Sequence, residues 1–410
     1  MLVHWLWLAT RPGLSDREKR NILSAFRDPE EIFYGEKATY ARVEGIKQEG
    51  MEALSDKDLT AAEKILDDCI KKDIHICTFH DGAYPARLKN IPDPPLVLYY
   101  KGNLAGLDSG PVIGVVGTRR ASAYGLTTAS RMGYQIARCG GILVSGVAAG
   151  IDGRAMSGAL TGGGMVVGVL GCGVDVVYPA SNRALYEDTE HHGCLLSEFP
   201  PQTPPYKWNF PKRNRIISGL SNGVLVVEAP RISGALITAR QAGEQGRDVF
   251  VVPGNIDVPT FVGSNALLRE GAIAASSGWD VVGEYAALYP GKVRPAFQDG
   301  IVPQLGEKEM PQVAQKKVEV GVKSSFDRKT KEKPVDNPCR KPYSVQQDDS
   351  LSQEEKKLLL PLEKGEMLVD ELIAASAMPV SQVLSMLTIL QIRGVVEMLP
   401  GKREIGRAHV

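Results

Sequence analysis

The stretch VIGVVGTRRASAYG, residues 112–125, places a buried-strand pattern directly before a glycine and a candidate helix. A β-branched apolar run that breaks at a glycine is typical of a strand followed by an anion-binding turn at a helix N-terminus. Arg119 and Arg120 stand where a dinucleotide fingerprint would carry more glycines, and Thr118 and Ser122 stand beside them. Their hydroxyl and guanidinium donors, beside free backbone N–H groups, favour an anion. A purely structural turn remains an equal alternative.

Five further apolar runs repeat this strand pattern as far as about residue 285. They read ILVSG, VVGVLG, CLLSE, GVLVVEA and DVFVVPG, and helical stretches separate them. Continuous β-branched runs interleaved with helices predict a parallel sheet that is covered on both faces. We therefore predict a Rossmann-like, doubly wound α/β domain over residues 101–285, with ligands bound beyond the carboxyl ends of the strands.

The segment before this domain, residues 1–100, has a helical pattern and predicts a small N-terminal domain of the SAM-like or helix-hairpin-helix-like type. Ser15 precedes an amphipathic helix and has Glu18 three residues later, which is a capping box. Ser55 is predicted to begin a second amphipathic helix in the same way.

The segments after the domain change character twice. Residues 286–350 accumulate Pro, Lys, Gln and Asp and predict a flexible linker. Three short helices, the last over about residues 380–392, and the strand-like VVEML then predict a winged helix over residues 351–403. We interpret residues 404–410, EIGRAHV, as a non-native tail that truncates the wing, because their back-translation matches a common sequencing adapter.

Composition narrows the classes of function. Forty-eight basic and forty-eight acidic residues give a formal net charge of zero, so a nucleic-acid site has to be a local cluster. Six cysteines without metal-ligand spacing favour a reduced, cytoplasmic chain. The apolar N-terminus is too short for a signal peptide, and no run reaches the roughly 20 residues that span a bilayer.

The stretch PPYKWNFPKRNRIISGLS, residues 204–221, interleaves cations and aromatic rings. Cations follow a phosphate backbone while aromatic faces stack on bases, a combination suited to single-stranded nucleic acid. The alternative is that Trp208 and Phe210 belong to the core and that the charges form a solvated face. The cations and rings of this stretch are Lys207, Lys212, Arg213 and Arg215, with Tyr206, Trp208 and Phe210.

Two more clusters stand at strand carboxyl ends, on the edge that also carries Arg119. Ser145 and Gly146 end one strand, with Gly150 and Asp152 opening the next helix; Ser233, Gly234 and Thr238 follow another strand. Glycines needed for close helix–sheet packing explain each cluster equally well when it is taken singly. Convergence of the clusters on one edge favours a binding site.

Several catalytic signatures are missing from the sequence. It contains no G-x-x-x-x-G-K-[ST] motif and no G-x-G-x-x-G at the first strand of the domain. Its six histidines neither pair as metal ligands nor stand beside a plausible nucleophile, and no carboxylate pair suits acid–base catalysis. These absences argue against ATP hydrolysis through a P-loop, and we expect no catalytic residues, metal or cofactor.

With these motifs assembled, the sequence resembles the DNA-processing protein A family, DprA or Smf. The resemblance covers residues 96–285 and rests on VGTRRASAYG, VSGVAAGIDGRA, GVLGCGVDVVYPASNRAL, LLSEFPPQTPPYKWNFPKRNRIISGLS, VVEAPRISGALITARQAGEQGRDVFVVPG and GSNALLREGA. The helical N-terminus and the winged helix fit the family's three-part layout. Where the family usually reads Ala-Ala-Ala-His after GID, this chain has Gly153-Arg154-Ala155-Met156, which leaves the role of that histidine open.

The resemblance implies a non-enzymatic protein. Members of this family bind and protect single-stranded DNA and form homodimers through the Rossmann-like domain. They load the RecA recombinase during natural transformation, with single-strand-binding protein as a further partner. By motif match, Gly117, Thr118, Arg119 and Lys207 would hold phosphate, and Phe210 would contact a base. Arg213, Asn214 and Arg215 match the family's RNR positions, where DNA contact and bracing of the loop remain open in equal measure.

Three further interpretations follow from the sequence. Lysine-decarboxylase-like proteins cleave nucleoside monophosphates with a P-G-G-x-G-T-x-x-E loop, but the comparable APRISGALITAR here lacks the paired glycines and the glutamate. Leu267 and Leu268 could pair across a dimer axis or belong to the core. The third winged-helix segment has almost no cations, which favours a protein-interaction or regulatory role over duplex reading.

Overall fold

The structure, a computed structural model, describes residues 2–296 and parts of the remaining chain. The chain divides into two compact units, residues 1–316 and residues 317–410. The later described residues are 352–361, 367–376, 378–380, 382, 383, 386, 387, 390, 396–399 and 403–406.

Nine described strands of the first unit form one mixed sheet. They are β1 (His75–Thr78), β2 (Val97–Gly102), β3 (Val112–Val116), β4 (Ile142–Ser145), β5 (Val166–Val169), β6 (Gly193–Ser197), β7 (Gly223–Val226), β8 (Asp248–Val251) and β9 (Ile273–Ala274). Their order across the sheet is β1-β2-β6-β5-β4-β3-β7-β8-β9. Strand β2 pairs antiparallel with β1 and β6, and all the other pairs are parallel. The six strands predicted for the Rossmann-like domain are confirmed as β3 to β8.

Helices cover both faces of the sheet. Ile113 and Val115 of β3 enter one core with helices α8, α9 and α10, and Val112 and Val116 enter a second core with α11 and α12. This alternation confirms the doubly wound fold, because each face of a buried parallel strand needs its own apolar cover. The helices are α1 (Leu2–Thr10), α2 (Asp16–Ala25), α3 (Pro29–Tyr34), α4 (Lys37–Tyr40), α5 (Gln48–Ser55), α6 (Thr60–Lys71), α7 (Ala86–Lys89), α8 (Ala123–Arg138), α9 (Ile151–Thr161), α10 (Arg183–His192), α11 (Asn209–Leu220), α12 (Gly234–Glu244), α13 (Val262–Arg269) and α14 (Gly278–Val282).

Helices α8 and α9 cross in close contact at two glycines. A Cβ on Gly133 would lie 2.0 Å from the carbonyl oxygen of Ala155, and a Cβ on Gly158 would lie 2.0 Å from that of Ser130. Only glycine allows two helix backbones to approach so closely. This crossing fixes α9, whose N-terminus borders the candidate site.

The N-terminal segment is only partly helical, contrary to the sequence prediction. Its last third contributes β1 and β2, which extend the sheet by antiparallel pairing with β6. Leu98 and Tyr99 are buried by this pairing, a long-range contact that local helical periodicity does not reveal. Leu267, considered above for a dimer axis, is likewise buried in the core, and Leu268 packs against it.

The two predicted helix caps in this segment have different outcomes. The capping box of Ser15 and Glu18 at α2 is confirmed. The predicted cap at Ser55 is wrong, because Ser55 ends α5 and α6 begins only at Thr60. Asp58 accepts hydrogen bonds from the Thr60 N–H at 2.9 Å and from its hydroxyl at 2.6 Å, and so orders the start of α6.

The first part of the predicted linker packs against the sheet domain. The Arg87 guanidinium donates to the Tyr289 hydroxyl at 2.6 Å, and the Arg294 N–H donates to the carbonyl of Cys139 at 3.2 Å. Side-chain contacts from such distant residues are invisible to composition. The rest of the predicted linker, from residue 297, lies outside the described residues.

The second unit contains helices α15 (Gln353–Leu359) and α16 (Val369–Ser376) and strands β10 (Met367–Leu368), β11 (Val396–Leu399) and β12 (Arg403–Gly406). The strands form an antiparallel sheet of order β10-β12-β11. The predicted strand VVEML is confirmed as β11, and the third predicted helix lies partly outside the described residues. Strand β12 includes residues 404–406 of the predicted non-native tail, whose origin stays a prediction.

Within the described ranges, no helix is both long enough and apolar enough to cross a bilayer. Five cysteines of this part are free and buried. The same residues contain no group of three metal-ligating side chains.

Candidate nucleic-acid interface

A cleft of about 390 Å³ opens at the carboxyl ends of β3 and β7. These neighbouring strands form the switch point of the sheet, because the chain passes from β3 to β4, β5 and β6 on one side and continues with β7 and β8 on the other. Ligands of doubly wound folds bind at such a point. Eight of the thirteen predicted site residues line the cleft, namely Gly117, Thr118, Arg119, Phe210, Arg213, Asn214, Ser233 and Gly234.

The loop that follows β3 is held by backbone contacts and keeps its cations free. The Thr118 N–H donates to the carbonyl of Glu228 at 2.8 Å, and the Thr118 carbonyl accepts from the Ile151 N–H at 3.3 Å. A Cβ on Gly117 would lie within 3 Å of the Ile151 side chain, so glycine is required there. Arg119 and Arg120, beyond this anchored backbone, are exposed.

Ser122 caps helix α8 and already binds an anionic group of the chain itself. Its hydroxyl accepts from the Gly125 N–H at 3.0 Å and donates to the carboxylate of Glu228 at 2.8 Å, and its own N–H donates to the same carboxylate at 3.0 Å. Glu228 is fully buried. Glu228 was not among the residues predicted from the sequence, although an acidic residue at the end of the buried run GVLVVEA is a visible signal. Ser122 lies outside the cleft lining.

Ser145 and Gly146 are buried and do not line the cleft. The Ser145 hydroxyl donates to the carbonyl of Val115 at 2.6 Å, and the Gly146 N–H donates to Asp152 at 3.2 Å. A Cβ on Gly146 would lie 2.5 Å from the Arg213 guanidinium. These contacts favour the packing interpretation of this pair over direct contact with a ligand.

Two of the three RNR residues, Arg213 and Asn214, brace the cleft from below. Arg213 is buried, and its guanidinium donates to the carbonyl of Gly146 at 3.1 Å and to that of Val169. The Asn214 amide donates to the carbonyl of Gly234 at 3.3 Å. Both residues still line the cleft floor.

Arg215 faces a different part of the molecule. It pairs with Glu198, whose side chain is 8% exposed, and Lys212 bridges the same carboxylate at 3.1 Å and Asp16 at 2.8 Å. Burial alone would lower the pKa of Lys212, but these two carboxylates raise it. Lys212 thus connects α11 to α2, and Arg215 connects α11 to the residue after β6. Neither side chain lines the cleft.

Asp152 provides the counter-charge of Arg213 at the N-terminus of α9. Burial raises the pKa of Asp152, and the Arg213 charge only partly opposes this effect. Burial likewise lowers the pKa of the Arg213 guanidinium. No ion pair within 4.0 Å joins the two groups in the part of the chain that the structure describes, but each charge partly offsets the effect of burial on the pKa of the other.

Phe210 is half-buried between two guanidinium groups, with Arg119 Cζ 5.1 Å and Arg213 Cζ 5.9 Å from the ring centre. Both distances fall within the range of cation–π contacts. Trp208 does not belong to the core, because 71% of its surface is exposed, and Lys207 is also exposed. Lys207 does not line the cleft, but it lies three residues from Phe210, which is at most about 11 Å of chain.

The loop after β7 forms the opposite wall. Ser233 caps α12 by accepting the Ala235 N–H at 3.2 Å. Gly234 is exposed, and a Cβ there would contact nothing within 4 Å, so a ligand can approach its backbone. Ile232 is 94% exposed at the rim. Met156, the last residue of the Gly153-Arg154-Ala155-Met156 stretch, is fully buried and does not line the cleft.

The cations around the cleft differ from those below it in their ion pairing. In the described part of the chain, Arg119, Arg120, Lys207 and Arg231 have no acidic partner within 4.0 Å. All four are exposed. An edge of the sheet with free guanidinium and ammonium groups attracts a polyanion, even though the whole chain is neutral.

Two family models match the chain. One, described as DNA recombination-mediator protein A, covers residues 75–286, and the other, described as DprA winged helix domain, covers residues 342–402. The chain is 47% identical over 201 residues to the DNA processing protein DprA of Bacillus subtilis, which covers 49% of this chain and 68% of that protein. It is 34% identical over 347 residues to Protein Smf of Synechocystis, covering 83% of this chain and 82% of the relative.

A solved structure has the same architecture. The X-ray structure of DNA processing protein A from Streptococcus pneumoniae aligns with a TM-score of 0.62 at 33% sequence identity. The alignment covers 69% of this chain and 98% of that one.

Proposed function

Because the chain belongs to the DNA recombination-mediator protein A family, DprA or Smf, we propose that it binds single-stranded DNA at the cleft and loads the RecA recombinase onto it. The observation that carries the proposal is the edge formed by Arg119, Arg120 and Lys207, which are exposed and lack acidic partners among the described residues. Phosphates neutralised by such groups release counterions, and this release drives binding regardless of sequence.

In the proposed path of the DNA strand, each wall of the cleft contacts a different part of the strand. Gly117, Thr118 and Arg119 hold phosphate on one wall, and Ser233 and Gly234 offer an open backbone on the other. Lys207 extends the phosphate track, and Phe210 contacts a base. Five of the remaining predicted site residues support this surface from beneath: Ser122, Ser145, Gly146, Arg213 and Asn214. Arg215 pairs with Glu198 away from the cleft and has no part in this path.

The wider role rests on the family. We propose a cytoplasmic homodimer that protects incoming strands during natural transformation and recombination, and that meets RecA and single-strand-binding protein on the DNA. The Rossmann-like residues 101–285 would hold the strand, and residues 1–100 would form the N-terminal domain attached to them. The linker, residues 286–350, would connect them to a winged helix, residues 351–403, with a protein-interaction role.

We expect this role to need no catalysis. The loop after β7 reads Pro-Arg-Ile-Ser-Gly and lacks the glutamate of nucleoside-monophosphate-cleaving relatives of this fold. Incubation with nucleoside 5′-monophosphates is expected to release no free base. Release of base at a rate that depends on the cleft residues would replace the binding function with an enzymatic one.

The proposal predicts a defined salt dependence. Replacing Arg119 with Ala removes one phosphate contact, so the slope of log affinity for oligo(dT) against log salt falls by about 0.7. Fluorescence anisotropy of a labelled oligonucleotide at several salt concentrations measures this slope, and Lys207→Ala is expected to behave in the same way. Weakening should be equal for oligonucleotides of different sequence, because phosphate contacts carry no base information.

Arg138→Ala is the matched control. Arg138 is an exposed arginine at the last residue of α8, about 24 Å along the helix from the end next to the cleft. Its removal should leave the slope unchanged. If the Arg119→Ala/Lys207→Ala double variant binds oligo(dT) as tightly as the parent at two salt concentrations, the cleft is not the DNA site.

A further inference from the structure

Tyr206 and Trp208 form an exposed aromatic pair beside the cleft. Their ring centres are 4.7 Å apart and their planes differ by 8°, which is a parallel stack. Trp208 is 71% exposed and Tyr206 46% exposed, whereas Trp5 and Trp7 are buried. Packing in the core therefore does not explain the large apolar ring at position 208.

A short turn holds this pair in a fixed position. The Asn209 N–H donates to the carbonyl of Tyr206 at 3.0 Å, which closes a turn with Lys207 and Trp208 at its centre. The Asn209 side chain is buried and donates to the carbonyl of Gly171 at 3.1 Å, beyond the end of β5. The turn is thereby fastened to the carboxyl edge of the sheet.

The pair is next to the groups assigned above to DNA. Trp208 stands two residues before Phe210, which contacts Arg119 in the cleft, and Lys207 lies between the two stacked rings in the sequence. This order alternates aromatic faces with a free cation. Single-strand binding surfaces have the same alternation, since bases stack on the rings while cations meet the phosphates.

We propose that the Tyr206–Trp208 stack is a second base-stacking platform, so that a single strand is held by one base at Phe210 and by another on the outer face of Trp208. The proposal rests on the proposed function. Tyr206 acts as a positioning residue, because its ring supports Trp208 in a plane that a base can cover without further ordering. A paired base cannot offer its face to this platform, so the platform selects unpaired DNA.

Tryptophan fluorescence of the full chain tests the platform directly. A base stacked on Trp208 quenches its emission, so titration with oligo(dT) should quench the parent protein and leave Trp208→Ala unquenched. The other three tryptophans are Trp5, Trp7 and Trp279, and the first two are buried. Trp279→Phe is therefore expected to keep the quenching.

Affinity gives the second readout. Trp208→Ala should weaken oligo(dT) binding by about 5- to 150-fold, the loss of one stacked base, and Trp208→Phe should recover most of it. On an oligonucleotide whose bases are replaced by abasic sites, the parent and Trp208→Ala should bind equally. Tyr34→Ala is the control, because Tyr34 is exposed to the same degree at 72% in the N-terminal helical segment and should change nothing.

The two proposals fail in different ways. If binding depends on Arg119 and on salt, but the parent is not quenched and Trp208→Ala keeps its affinity, the platform is wrong and the cleft assignment stands. If the parent does not bind oligo(dT) at all, both are wrong. Equal weakening of binding to the abasic strand by Trp208→Ala would also overturn the platform, since it would indicate a loss other than stacking.

Discussion

The guanidinium of Arg213 joins two strand ends beneath the cleft. It binds the carbonyls of Gly146, which follows β4, and Val169, which ends β5, and it faces the buried Asp152. The two charges interact without a direct ion pair, and removal of Arg213 would leave the Asp152 carboxyl buried without the charge that partly offsets its burial. Arg213 therefore matters more for the shape of the cleft than for its charge.

Replacing Arg213 with Ala is expected to lower the free energy of unfolding by about 3–5 kcal/mol, because the two buried carbonyls lose their donor and the buried Asp152 loses a nearby positive charge. Urea denaturation followed by circular dichroism measures the change. Arg138→Ala, which removes an exposed arginine, should stay within about 0.5 kcal/mol of the parent. A loss below 1 kcal/mol for Arg213→Ala would contradict the bracing role.

At the residue scale, the cluster of cations over residues 207–215 could be predicted from the sequence. Which of these cations lack an acidic partner could not. Arg213, Arg215 and Lys212 looked like Lys207, because all four lie within nine residues of each other. Their partners, Asp152, Glu198 and Asp16, come from distant segments that only the fold brings together. Local sequence therefore could not separate bracing from binding.

Among the elements, helix α8 determines the form of the loop that follows β3. Its first turn is fastened by the Glu228 carboxylate, which accepts from the N–H and the hydroxyl of Ser122. A Cβ on Gly125 would lie 1.8 Å from this carboxylate, so glycine in the first turn leaves the room that the carboxylate occupies. A negative group at a helix N-terminus is favourable through the helix dipole.

Glu228→Gln keeps the size of the side chain and removes its charge. We expect the free energy of unfolding to fall by about 1–3 kcal/mol, because charge-assisted hydrogen bonds at the start of α8 are replaced by neutral ones. Urea denaturation measures this change, and Glu187→Gln, on the exposed side of α10, is the control. Unchanged stability of Glu228→Gln would mean that the carboxylate does not hold the loop.

Strands could be predicted from the sequence where their consecutive residues are all buried. Strands β3 to β8 could be read directly, because a parallel strand covered on both faces is an uninterrupted apolar run. Strand β1 was not predicted, because it is a short edge strand. Its first two residues are more exposed and its last two are buried, so it shows neither a continuous apolar run nor a clear alternation. The start of α6 was placed too early, since Asp58 orders it rather than Ser55.

At the scale of the first unit, contacts between distant segments hold the N-terminal helices on the sheet domain. Lys72 at the end of α6 pairs with Asp175 at 2.5 Å, and Gln202 donates to Asp68 at 2.9 Å. Burial alone would raise the pKa of Asp175, but the Lys72 ammonium and the Gln202 N–H outweigh this effect and hold the pKa below its usual value. The contribution of the Lys72–Asp175 ion pair to stability therefore depends on pH.

A carboxyl group with a lowered pKa in the folded state stabilises the protein above its unfolded pKa of about 3.9, and this contribution is lost as the pH falls through the folded value. Asp175→Asn should cost about 1 kcal/mol at neutral pH, after allowance for the solvent exposure of Lys72. The difference between parent and variant should be constant above about pH 5 and shrink below about pH 4. Urea denaturation across this range measures it, and a difference that does not change with pH would contradict the ion pair.

The antiparallel strands β1 and β2 have a practical consequence for anyone who wishes to separate the first hundred residues from the rest. Strand β2 shields the outer rim of β6, so a polypeptide started at residue 101 would present the unsatisfied amides and carbonyls of β6 to its neighbours. Such a fragment would tend to self-associate into insoluble material. A cut placed upstream of His75 keeps this rim covered and is the sensible starting point for dissecting the chain.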